Sequence, residues 1–171
     1  SDTDVVSYAY HDLFRAFLLD RLERALEPGE LRALRATIAS MLEGAGMLPE
    51  AIEQYRLIER WDDAVRLIHV EAPRLIDQGR FRTLGDRLGG LPDGRVDDDP
   101  WLLFYRGHVI TSTNSIDSEA NFEAAYAKFV AVGDEAGQFA AAFAVMETIV
   151  LNHPSYKPWD RWIDVVVRLL E

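Results

Sequence analysis

The stretch from Gly46 to Gln78 constrains the fold more than any other. It reads Gly-Met-Leu-Pro-Glu-Ala-Ile-Glu-Gln-Tyr and, a little later, Arg-Trp-Asp-Asp-Ala-Val-Arg-Leu-Ile. Pro49 stands where a first helical turn accepts a residue without an N–H. Ala51, Ile52, Tyr55 and Ile58 then recur at helical spacing. Trp61-Asp62-Asp63 interrupts the pattern, with Asp62 as a candidate N-cap. Ala64, Val65, Leu67, Ile68, Ala72, Leu75 and Ile76 resume it. Two amphipathic helices, 48–59 and 62–77, on so short a link are expected to fold back on one another. A single hairpin cannot bury its apolar stripe, so it needs neighbours.

The rest of the chain supplies them. Apolar periodicity places further helices over about 12–26, 30–43, 80–91, 100–113, 119–132, 135–151 and 159–170. Gly and Pro punctuate the joints, as in Pro28-Gly29, Gly44, Gly46, Gly79 and the run Gly89-Gly90-Leu91-Pro92-Asp93-Gly94. Asp97-Asp98-Asp99-Pro100 puts acids where a helix dipole favours them and proline in the first turn. Residues 1–10, with Val5-Val6 and Tyr8-Ala9-Tyr10, read as a scrap of strand.

First helices begin near 30, 62, 100 and 136, and second helices near 49, 80, 118 and 157. That spacing lies near the repeat of about 34 in tetratricopeptide arrays. Ala125, Phe129 and Val132 match the second-helix spacing of such a repeat, and Gly107 suits its small first-helix position. The fold expected is therefore all-α: a tetratricopeptide-like solenoid of stacked antiparallel helical hairpins, an α-α superhelix.

Composition narrows the function. The net charge of −11 opposes direct contact with nucleic acid. Between Asp97 and Val150 nine acidic residues face two basic ones, Arg106 and Lys128. Such a face is ordinarily a solvated one, and the alternative is a cationic partner. With no cysteine there is no disulfide framework and no thiolate metal site. No apolar run approaches the ~18 residues of a membrane span. The acidic start, Ser1-Asp2-Thr3-Asp4, is unlike a signal peptide, so the cytoplasm is expected.

No catalytic constellation stands out. His11, His69, His108 and His153 show neither Glu-x-x-His nor His-Glu-x-x-His spacing, so no metal or cofactor is expected. His11 reads as a packing or capping residue. The acid pairs sit at helix starts, which the dipole explains. Ser112, Ser115 and Ser118 lack a nucleophile elbow. The chain is expected to be non-enzymatic.

Aromatic stripes carry the one candidate site. Trp101, Tyr105, His108 and Ser112 share a helix face, while Leu102, Leu103, Val109 and Ile110 serve the core. If first helices line a groove, Trp101, Tyr105 and His108 would meet a peptide or small ligand there. Plain packing between repeats is the competing reading. Phe139, Phe143 and Met146 are read as core. Trp159, Trp162, Val166 and Leu170 end the sequence without a polar cap, which points to self-association or to an array that continues.

Two stretches resemble a family. Tyr8-Ala9-Tyr10-His11-Asp12-Leu13-Phe14-Arg15-Ala16-Phe17-Leu18 resembles the close of the winged-helix segment in large LuxR-type, MalT-like ATP-dependent transcriptional regulators. Gly46, Glu50-Ala51-Ile52 and Arg60-Trp61-Asp62-Asp63-Ala64-Val65-Arg66-Leu67-Ile68 are similar to the helical segment that follows it. Gly79-Arg80-Phe81-Arg82-Thr83-Leu84, Leu88, Leu91-Pro92 and Asp99-Pro100-Trp101-Leu102 also fit. The likeness covers residues 8–104 well and the remainder loosely. It implies a tail of the winged-helix segment over 1–27 and a helical-repeat domain over 28–171, lying between an upstream ATPase and a downstream DNA-binding domain. It further implies a sensor that binds a small-molecule inducer or an inhibitory protein and helps control self-assembly. No phosphate loop and no basic helix-turn-helix occur within the chain. A free-standing repeat scaffold that binds peptides is the alternative.

Overall fold

The computed structural model describes residues 12–111, 113–152 and 157–170, and every regular element among them is a helix. In chain order these are α1 (Asp12–Ala25), α2 (Pro28–Gly44), α3 (Leu48–Leu57), α4 (Trp61–Asp77), α5 (Phe81–Leu88), α6 (Asp93–Asp98), α7 (Pro100–Ile110), α8 (Ser115–Val132), α9 (Glu135–Asn152) and α10 (Lys157–Leu169). The strand expected in residues 1–10, and His11, Ser112 and His153, lie outside the described residues. No described helix is long and apolar enough to cross a membrane.

The starts follow local chemistry. Prolines open α2, α3 and α7. The Glu30 carboxylate accepts the Glu27 backbone N–H at 3.2 Å, satisfying a donor at the start of α2. Asp99 caps α7, accepting the N–H groups of Trp101 and Leu102 at 2.9 and 3.1 Å. Asp62 does not cap α4. That helix already begins at Trp61, which leaves Asp62 in the first turn, paired with Arg95 of α6.

The ends repeat one device. After α2, α3, α4 and α8 a residue turns into the left-handed region: Gly46, Glu59, Gly79 and Gly133. At each, that residue's N–H bonds a carbonyl three residues back, and the following N–H bonds one five back. Arg80 to Leu75 and Asp134 to Phe129 are two of the longer closures, at 2.8 and 3.0 Å. This is the Schellman arrangement, in which glycine is favoured because it lacks a Cβ. Glu59 is the one non-glycine residue with positive φ among those described.

The chain divides into two compact units, residues 1–60 and 61–171, whereas the sequence reading divides it after residue 27. In the first unit α2 packs on α3. Ala39, Ala51, Ile52 and Tyr55 are buried, and the Tyr55 hydroxyl donates to Glu43 across the pair at 3.1 Å. Phe14, Phe17 and Leu18 of α1 are exposed rather than core. Of the two helices expected over 48–59 and 62–77, α3 lies in the first unit, packed on α2, and α4 lies in the second unit, where it packs on α5 and α7.

The second unit is built around α7, which touches α4, α5, α6, α8 and α9. Leu102, Leu103, Phe104, Tyr105 and Gly107 are all buried, so this helix is enclosed on most sides. Pairing then continues as α7 on α8, α8 on α9 and α9 on α10. Two glycines set the closeness of these contacts. A Cβ on Gly107 would stand 2.4 Å from the Phe122 ring of α8, and one on Gly137 would stand 2.2 Å from the Phe129 ring. Both distances are far inside van der Waals contact, so the rings occupy the space a side chain would need. The core of α9 is its small face, Ala141, Ala142, Val145 and Ile149. Phe139 and Phe143, expected in the core, instead stack on each other at the surface, 37% and 52% exposed. The close approach fixed by alanine and glycine leaves no room for them on the packed side.

Candidate functional site

The structure separates the three residues of the aromatic stripe. Trp101 fastens helices together. Its indole Nε1 donates to Asp134 at 2.9 Å, and its ring meets Phe129 edge-on with centroids 4.8 Å apart. Asp134 in turn accepts the Gly137 N–H at 2.9 Å, so one carboxylate serves both α7 and the first turn of α9. Tyr105 is buried, with 4% of its surface exposed. Burial, together with the Asp99 charge, pushes its phenol up to about 12. Tyr105 is thus packed inside, and Trp101 is half-buried and held by Asp134. Their helix is apolar nearly all round, so a stripe chosen by spacing alone could not distinguish a groove face from a packed one.

His108 is placed differently. It lines a cavity of about 360 Å³ bounded by Phe81 of α5, Thr111 at the end of α7, Phe122 of α8, and Ala144, Glu147 and Thr148 of α9. The imidazole lies parallel to Phe81, with centroids 6.3 Å apart and planes 5° apart. It meets Phe104 and Phe122 edge-on at 4.7 and 5.0 Å. Among the described residues no hydrogen bond is made to its ring nitrogens. Burial lowers its pKa to about 4, so the ring is neutral at physiological pH.

The hydroxyls around it are already engaged. Thr111 Oγ1 donates to the Gly107 carbonyl at 2.9 Å and lies 2.8 Å from Ser118 Oγ. Ser118, fully buried, donates to the same carbonyl at 3.0 Å. Thr148 donates to the Val145 carbonyl at 2.8 Å. Thr111 and Thr148 bond carbonyls of the turn before them while Ser118 bonds across to α7, so the two threonines keep only lone pairs for the cavity. The volume falls within the range of small-molecule sites, and the walls are mostly apolar with a few convergent polar groups.

A second polar cluster joins α4 to α7. His69 Nε2 lies 3.0 Å from Asp99 Oδ2, while Asp99 Oδ1 caps α7. Burial alone would raise the Asp99 pKa. The His69 and backbone hydrogen bonds outweigh it and hold the carboxyl below its ordinary value. His69 Nδ1 is buried with no partner. Nε2 is therefore the nitrogen that meets the Asp99 carboxylate. One nitrogen is then committed and the other sealed. The pair fastens α4 to α7 and borders an open space that Val65, Arg66, Arg95 and Asp98 also line.

The cavity residues other than His108 escaped the sequence reading. They come from four helices, so no spacing unites them. The one local hint is Thr148, a polar residue in the apolar run of α9 that turns out to be buried. Among the described residues no group of three or more His, Asp and Glu could hold a metal ion. Compared with protein-family models, curated proteins and solved structures, the chain matches none.

Proposed function

We propose that this chain is a regulatory, non-catalytic helical-repeat segment of a cytoplasmic LuxR-type, MalT-like transcriptional regulator, a sensor that takes a signal molecule or protein and passes the change to neighbouring domains. The observation that carries the reading is the order of the helix pairs. α2 with α3, α4 with α5, α7 with α8 and α9 with α10 begin at Pro28, Trp61, Pro100 and Glu135, close to a tetratricopeptide period. The repeated left-handed closures after α2, α4 and α8 are the local counterpart of that order. The resemblance over residues 8–104 supplies the family, and the His108 cavity supplies a place for a small signal. Self-association belongs to the same reading: Ile163 and Val167 of α10, and Leu170 just past its end, are exposed apolar residues.

Sequencing the DNA on both sides of the coding segment tests this. A phosphate loop upstream and a helix-turn-helix downstream, in one reading frame, are expected. Their absence from the same polypeptide would end the regulator reading.

A further inference from the structure

The cavity around His108 has a chemical bias that its apolar lining hides. Among the described residues, each side-chain hydroxyl proton on its wall is spent inside the protein, Thr111 within the Gly107–Ser118 cluster and Thr148 on Val145. Those oxygens face a ligand as acceptors. Glu147, exposed on α9, adds a carboxylate, and among the described residues no lysine or arginine lines the space. His108 as neutral imidazole contributes one lone pair and one N–H, which among the described lining side chains is the single donor left for a ligand. The rings of Phe81 and Phe122 present π surfaces to the same volume. Such a wall rejects carboxylates and phosphates, which would find one donor and a like charge. It favours an ammonium, which brings three donors and a positive charge that aromatic faces and a carboxylate both attract.

We propose that this cavity binds a small primary amine with an apolar, preferably aromatic, body: the body between Phe81, Phe122 and Ala144, the ammonium toward Glu147 and the threonine oxygens. The proposal rests on the sensor reading in taking the cavity as the place where a signal lodges, and it is tested separately from the gene context.

The test is an NMR titration of the whole 171-residue chain with phenethylamine, phenethyl alcohol and phenylacetate in parallel. The three share a body and differ in the end group. Saturable shifts at Phe122, Ala144 and Thr148 are expected with phenethylamine. Weaker shifts are expected with the alcohol and the weakest with phenylacetate. Glu147→Gln, on an exposed residue, should weaken the amine by about tenfold, as one charge-assisted contact implies, and leave the alcohol unchanged. Phenylacetate binding as tightly as the amine, an unaltered amine affinity in the variant, or no saturable shift at these residues would each overturn the proposal. Such a failure would leave the regulator reading standing. A missing phosphate loop or helix-turn-helix would end that reading and leave the titration untouched.

Discussion

His108 should make the protein acid-sensitive in a defined window. In the unfolded chain an imidazole titrates near its ordinary value of about 6.5. In the folded protein burial lowers it to about 4. Above pH 6.5 both states carry a neutral ring, and the group contributes no pH dependence. As pH falls from 6.5 toward 4 the unfolded state takes up the proton first, and the folded state loses stability. Each unit of separation corresponds to about 1.4 kcal/mol, so the loss is roughly 3 kcal/mol when pH reaches the folded value. Asp99 acts in a lower window. Its carboxyl is held below the ordinary value of 3.8, so its stabilisation is complete above that value and lost only beneath it. Urea unfolding at pH 7 and pH 4.5 therefore isolates the histidine. Wild type and His108→Gln are each compared with themselves, so a difference in baseline stability cancels. The variant should lose roughly 2–3 kcal/mol less than wild type between the two conditions. Equal losses would refute the burial of this imidazole.

Other substitutions test the packing. Gly107→Ala should cost about 1–3 kcal/mol in thermal or urea unfolding, because its Cβ would enter the Phe122 ring. Gly94→Ala, where nothing lies within 4 Å, should be neutral or stabilising, and equal effects of the two would contradict the close contact. Asp99→Ala removes the cap of α7 and the partner of His69 together, and should cost at least the 1–2 kcal/mol typical of a lost cap. Adding His69→Ala should then cost less than it does in wild type, read as a double-mutant cycle in urea unfolding. Glu59→Gly should raise stability by up to about 1 kcal/mol, since relief of a left-handed conformation exceeds the entropy glycine adds to the unfolded chain. A clear loss of stability there would place Glu59 outside that conformation.

Much of the helical order was legible because its signals are local. Pro28, Pro49 and Pro100 mark starts and Gly46, Gly79 and Gly133 mark ends, and each acts through its own backbone geometry. The helix Asp93–Asp98 was missed because Gly94 and Pro92 read as loop, while Val96 alone buries its apolar surface. Packing partners were less legible. The face of α7 could not be read since Phe104 and Tyr105, adjacent in sequence, are both buried. The face of α9 was read backwards. Its aromatics look like core residues, yet Gly137 and the alanines bring α8 so close that the rings stay outside. Of the stripe Trp101, Tyr105 and His108, Tyr105 is buried, Trp101 is tied to Asp134, and His108 lines the cavity. What surrounds it comes from helices distant in sequence, and that arrangement exists only once the hairpins have packed.

The account depends most on neighbouring helices meeting at Gly107 and Gly137, so the α-protons of these glycines are the direct probe. They should lie against the faces of Phe122 and Phe129, giving nuclear Overhauser effects to those rings and resonances moved well upfield by ring current. Glycine α-protons at ordinary shifts, with no cross-peaks to either ring, would contradict it.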